Sequence, residues 1–133
     1  MIKVFWIALG GSLGALLRHG LSSLAHRVLP LSFPWGTLAA NLLGCFLIGV
    51  LWVLAARYSV SQEVRVFVFT GGIGSLTTFS TYALESLMLV WEGRVLAGVG
   101  NIALSNLLGL ALVALGAAVG FLLLGESVRS LAT

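Results

Sequence analysis

The sequence predicts an all-α membrane protein of four transmembrane helices, the third broken in mid-membrane. Three observations carry that reading. First, only 8% of the residues are charged and 59% are hydrophobic, with a mean hydropathy of +1.12. A soluble domain carries about 25% charged residues, so this chain cannot cover itself with polar surface. Second, its charges leave long uncharged runs: between Arg27 and Arg57, between Arg65 and Glu85, and between Arg94 and Glu126. A helix needs about 20 mainly apolar residues to cross the hydrocarbon core. Third, one of these runs contains Gly71-Gly72-Ile73-Gly74-Ser75-Leu76-Thr77-Thr78-Phe79-Ser80-Thr81-Tyr82. Breakable, polar backbone at membrane depth is tolerated only where protein buries it or where it lines a cavity.

The expected spans are 4–27, 35–56, 65–91 and 95–124, in a single membrane domain covering 1–133. The first is interrupted only by Arg18, His19, His26 and Arg27. It runs past the length of a signal-peptide apolar core and lacks a clear small-x-small cleavage site, so a membrane helix is expected. Pro30 and Pro34 bracket the first loop, and Pro34-Trp35 suits a helix start. Arg57 to Glu63 forms the second loop and Glu92-Gly93-Arg94 a tight third one. Trp6, Trp35, Trp52 and Trp91 fall near span ends, where interfacial aromatics are enriched. The single cysteine, Cys45, excludes an intramolecular disulfide and reads as a small packing residue. A net charge of +3, scattered along the chain, gives no footprint for nucleic acid.

Loop charges weigh only slightly on orientation. Lys3, Arg57, Arg65 and Arg129 fall on the side of the termini, and Arg27 and Arg94 on the other. Four against two leans toward termini inside. So small a bias suits a chain that inserts both ways, and also one with a single topology and weak signals. Four small helices enclose little space, so a homo-oligomer is expected.

The polar insertions are the candidates for function. Asn41 offers two amide donors and an acceptor within the second span, and Thr37 lies one turn earlier on the same face. A lone membrane asparagine is often interhelical glue, worth roughly 0.6 to 2 kcal/mol. The third-span stretch weighs toward a polar path instead. Between Thr70 and Thr81 it holds six hydroxyl residues and three glycines. A break there frees carbonyls that suit a hard cation such as Na⁺; the plainer reading is a kinked helix with small residues for packing. Phe79 and Tyr82 share a face if helix resumes there, and the positive edges of their rings could line an anion's path. Taken alone, such a pair reads as packing. Asn101, Ser105 and Asn106 are the polar insertions of the fourth span. Gly10/Gly14, Gly116/Gly120 and Ser105/Gly109 are small-xxx-small pairs that favour close helix contact. Arg18 reads as a vestibule charge that draws anions or as a snorkelling side chain. Glu85 reads as a proton relay or as a paired or neutral carboxyl. His19 and His26 lack ligand spacing, and neither a nucleophile–base pair nor a phosphate loop is found, so no enzyme is expected.

Three motifs in order and spacing go further: Gly10-Gly11-Ser12-Leu13-Gly14-Ala15-Leu16-Leu17-Arg18, Gly36-Thr37-Leu38-Ala39-Ala40-Asn41-Leu42-Leu43-Gly44, and Gly74-Ser75-Leu76-Thr77-Thr78-Phe79-Ser80-Thr81-Tyr82. Together they resemble the Fluc, or CrcB, fluoride channels over essentially the whole chain, the third motif being the most specific. The resemblance implies an antiparallel, dual-topology homodimer in the cell (inner or plasma) membrane, with two pores that export fluoride passively. It implies that Asn41 lines the pore and that Phe79 contacts fluoride. Tyr82 stands where a second phenylalanine is usual. Ser105 matches a fourth-span hydroxyl, while Asn101 stands where tyrosine is often found. The resemblance also implies a structural Na⁺ at the dimer centre, held by the backbone carbonyls of Gly74 and Thr77, with Ser75 where a second glycine is common. Arg18 and Glu85 match charged positions of the family. The competing readings are a proton-coupled small four-span transporter using Glu85 and a non-transporting assembly subunit.

Overall fold

The computed structural model describes residues 1–30 and 32–125, and these are helical apart from short connections. Arg129 and Glu126, used above in reading charge, lie outside the described residues. Helix α1 spans Ile2–Val28, α2 Trp35–Arg57 and α6 Val95–Leu124. Among the described residues these three are long and apolar enough to cross a membrane. The stretch between α2 and α6 is segmented. It comprises α3 (Gln62–Arg65), a π-helix π1 (Val66–Ile73), α4 (Gly74–Leu76) and α5 (Phe79–Trp91).

Local chemistry sets the boundaries. Pro34 precedes α2 with non-helical backbone angles, and the Phe33 and Trp35 rings pack in a tilted contact across the turn, centroids 4.6 Å apart. Ser61 caps α3 by accepting from the Val64 N–H. Arg65 then reaches back and donates to the Ala55 carbonyl near the end of α2, 2.8 Å away. The Glu92–Arg94 turn is closed by Gly93 at φ 77°, a left-handed conformation that costs glycine nothing. Arg94 donates to the Ser32 carbonyl, tying this turn to the loop before α2.

The helices approach until backbone meets backbone. A Cβ on Gly10 would run into the Phe67 carbonyl oxygen, and one on Gly14 into that of Gly72. From the other side, a Cβ on Gly71 would lie 2.7 Å from the Ile7 carbonyl oxygen. So α1 and π1 cross on glycine at both surfaces. The wider π turns place Gly71 and Gly72 on that face; such turns often accompany functional sites. The α2–α6 contact uses the same device. A Cβ on Gly49 would strike the Val113 carbonyl, and one on Gly116 that of Phe46. The small pairs Gly10/Gly14 and Gly116/Gly120 are therefore packing devices, since lipid gives no hydrophobic drive to join helices and close van der Waals contact must do it. Much of the remaining surface is apolar, including Leu16, Leu96, Leu107, Leu110 and Leu122, as a lipid-facing surface requires.

Overpacking a tight contact costs about 1–3 kcal/mol. Gly116→Val, which forces a side chain onto the Phe46 carbonyl, is expected to lower stability by about 3 kcal/mol. Gly20→Ala, with nothing within 4 Å of the added carbon, is expected to lower it not at all. Thermal unfolding of both variants in detergent checks this; equal midpoints would contradict the packing account.

Candidate functional site

The helical run that starts at Gln62 stops at Leu76. Thr77 (φ −84°, ψ 151°) and Thr78 (φ −146°, ψ 109°) are extended, and helix resumes at Phe79. Two extended residues cannot continue the i→i−4 ladder, so their backbone groups need other partners. Thr77 closes the preceding turn twice, its N–H and its hydroxyl both donating to the Ile73 carbonyl at 3.0 and 3.1 Å. Thr78 is paired by Asn41. The Thr78 N–H donates to Asn41 Oδ1 at 2.7 Å, and Asn41 Nδ2 donates to the Thr78 carbonyl at 3.3 Å. The carboxamide thus meets the extended Thr78 as one residue meets another in a hydrogen-bonded β pair. Thr78 also caps α5, its Oγ1 accepting from the Thr81 N–H at 3.3 Å and lying 2.8 Å from the Thr81 hydroxyl. Gly44 lets this happen: a Cβ there would collide with the Thr77 methyl.

Two cavities meet at the interruption. A central one of about 300 Å³ is lined by Asn41, Gly44, Cys45 and Ile48 of α2, by Ile73, Thr77 and Thr78, by Phe79 and Tyr82 of α5, and by Ser105 and Asn106 of α6. None of these residues is acidic or basic. The second, of about 280 Å³, is lined by Arg18, His19, Ser22 and His26 of α1, by Gly36 and Thr37, and by Thr78, Thr81 and Glu85. Thr78 belongs to both. A third cavity of about 210 Å³ continues outward from His26 and Glu85 to Glu92 and Arg94.

The expected site residues therefore fall into groups. Asn41, Thr77, Phe79, Tyr82 and Ser105 meet at the central cavity. Arg18, Thr37 and Glu85 meet at the second. The Thr37 hydroxyl donates to Glu85 Oε1 at 2.9 Å, while Oε2 is buried with no partner among the described residues. Gly74 lines neither cavity; it is exposed on the surface of the chain. Phe79 and Tyr82 are neighbours, ring centroids 5.5 Å apart at 60°, but Tyr82 is buried while Phe79 is 79% exposed. Ser105 Oγ is buried with no hydrogen-bond partner among the described residues. Asn101 is fully buried and donates to Ser86 Oγ at 2.8 Å, which donates on to the Tyr82 carbonyl. It ties α6 to α5, away from either cavity.

Two residues matter more than their sequence signals suggest. Thr78 is the hinge of the arrangement, yet within a run of hydroxyls nothing singles it out. Asn106 donates to the Tyr82 hydroxyl oxygen at 2.9 Å. Which residue of α5 it would face depends on the α5–α6 register, which spacing along the chain does not give.

Removing a partner from a buried polar group costs about 1–3 kcal/mol. Asn41→Ala strips both bonds from Thr78 and is expected to lower stability by about 2 kcal/mol, read as a lower unfolding midpoint. An unchanged midpoint would mean that the carboxamide does not hold the interruption.

Comparison with known proteins fits this architecture. Residues 5–117 match the family described as "CrcB-like protein, Camphor Resistance (CrcB)". A protein of Salinibacter ruber named "Fluoride-specific ion channel FluC" is 70% identical over 130 residues, 98% of each chain. Proteins of the same name from Parabacteroides distasonis and Rhizobium etli are each 43% identical over 120 residues. Those alignments cover 90% of this chain, with 94% and 96% of the relatives. With its apolar helices and a match running from α1 far into α6, this chain is a membrane protein that belongs to the CrcB family.

Proposed function

We propose that the chain is a fluoride-selective channel that lets the anion leave the cytoplasm down its gradient and so lowers fluoride toxicity. Its CrcB relatives carry the name of fluoride-specific ion channels. The observation in the fold that best supports the reading is the central cavity, which offers hydroxyl, amide and ring-edge groups without a carboxylate. Fluoride is small and tightly hydrated, so a selective path must replace water's hydrogen bonds with protein donors. One N–H of Asn41 engages Thr78, and a carboxamide has a second to give. The Phe79 and Tyr82 ring edges add a weak positive rim. Arg18 draws anions toward the second cavity, and the shared Thr78 joins the two spaces. A transporter that binds protons and substrate at one carboxylate would need that group in the central cavity; Glu85 lies outside it.

The working unit in this reading is an antiparallel homodimer of dual topology in the plasma membrane. Each copy crosses four times, the third crossing interrupted in mid-membrane at Thr77–Thr78. The exposed Phe79 ring and the exposed Gly74 are the surfaces such a partner would cover. Na⁺ fits there through the backbone carbonyls of Gly74 and Thr77. In a continued helix the Thr78 N–H would reach the Gly74 carbonyl, but it is held by Asn41 instead. Neutral carbonyl oxygens suit a hard cation. When bound, Na⁺ would supply fixed positive charge near the anion path.

Fluoride efflux from liposomes holding the purified protein, with valinomycin clamping voltage, tests the reading. Rapid fluoride efflux without chloride leak is expected. Asn41→Asp should cut it roughly a thousandfold, because a carboxylate about 4 Å from the anion adds roughly 4 kcal/mol of repulsion at an effective dielectric of about 20. No fluoride flux from folded wild-type protein, or equal chloride flux, would overturn it.

A further inference from the structure

Two hydroxyl residues that line the central cavity, Tyr82 and Ser105, each have a donor unaccounted for. Ser105 Oγ is buried and has no partner among the described residues. Tyr82 is 9% exposed, and its hydroxyl oxygen accepts from Asn106 Nδ2 at 2.9 Å. The direction of that bond is fixed from the far side. Asn106 Nδ2 also donates to the Ile102 carbonyl of its own helix at 2.8 Å. A carbonyl only accepts, so the group facing it must be the NH₂ and not the amide oxygen. With one N–H on Ile102 and the other on Tyr82, the amide nitrogen is fully used. The tyrosine hydroxyl has therefore received a hydrogen bond and still has its own proton to give. Both Tyr82 and Asn106 line the cavity that holds Ser105.

We propose that Asn106 is a positioning residue that turns the Tyr82 hydroxyl into a directed donor for a small anion in this cavity, beside Ser105. The inference rests on the fluoride reading and adds a ligand and its orienting partner to it. Tyr82 contributes through its O–H as well as its ring edge. The chemistry selects a compact, strongly accepting anion, since fluoride accepts hydroxyl protons far more strongly than the larger, more diffuse halides do. Asn106 acts without touching the anion: it occupies the lone pair through which Tyr82 could otherwise turn.

The test measures fluoride efflux from liposomes at increasing fluoride concentration, for the full chain and its variants. Tyr82→Phe keeps the ring and removes the donor. It is expected to raise the half-saturating fluoride concentration about threefold to tenfold, the range of one lost hydrogen bond. Asn106→Leu is expected to raise it in the same direction in the wild-type chain and to change nothing further in Tyr82→Phe. Asn106→Asp, whose carboxylate accepts the tyrosine proton, should raise it more in the wild-type chain than in Tyr82→Phe. The difference between backgrounds isolates hydroxyl direction from added charge. Wild-type flux with Tyr82→Phe unchanged overturns the inference and leaves the channel reading standing. Equal effects of both Asn106 variants in the two backgrounds also overturn it. A wild-type chain that passes no fluoride overturns both.

Discussion

The structure depends on one pairing, that of the Asn41 carboxamide with the Thr78 backbone. Two extended residues between helices leave N–H and C=O groups that the helical ladder no longer serves. Asn41 serves one of each, at 2.7 and 3.3 Å. Thr77 answers for itself by folding its hydroxyl and N–H back onto Ile73, and the Thr78 hydroxyl caps the helix that follows. With those groups partnered, the chain runs extended for two residues and starts a new helix whose first residues, Phe79 and Tyr82, line a cavity. The same asparagine is then both brace and lining. A substitution there changes stability and chemistry together, and only a paired measurement separates them.

That pairing needs α2 and the segmented stretch to lie close together, and glycine provides the closeness. Gly44 admits the Thr77 methyl, and Gly49 and Gly116 bring α2 and α6 into backbone contact. Gly10, Gly14 and Gly71 do the same for α1 and π1. The bulk lost at these crossings leaves the polar side chains to define the spaces between helices. The result is a row of cavities sharing Thr78, then His26 and Glu85, with acidic groups confined to the outer ones.

The sequence makes the long helices plain, because charge and proline mark their ends. Arg27, Pro34, Arg57 and Arg94 bound uncharged runs, and the helices Trp35–Arg57 and Val95–Leu124 follow those limits closely. Of the residues singled out in the sequence, Asn41, Thr77, Phe79, Tyr82 and Ser105 line one cavity, whereas Thr37 lines the other with Arg18 and Glu85. Less was legible wherever the answer lay in register between helices. The π turns of Val66–Ile73 leave no periodic mark in eight mostly apolar residues. The Thr37–Glu85 and Asn106–Tyr82 bonds join positions 48 and 24 apart in the chain, and nothing local pairs them. Phe79 and Tyr82 share a face by spacing, yet one is exposed and the other buried, because α6 covers only the second.

The central claim is that the Asn41–Thr78 pairing forms the wall of a fluoride path. Solid-state NMR of the protein in bilayers, labelled at the Asn41 side-chain amide and the Thr78 N–H, tests it most directly during a fluoride titration. Both signals are expected to show hydrogen bonding without fluoride, and the Asn41 amide to shift with fluoride but not with chloride. An Asn41 amide indifferent to fluoride, or moved equally by chloride, would contradict the account.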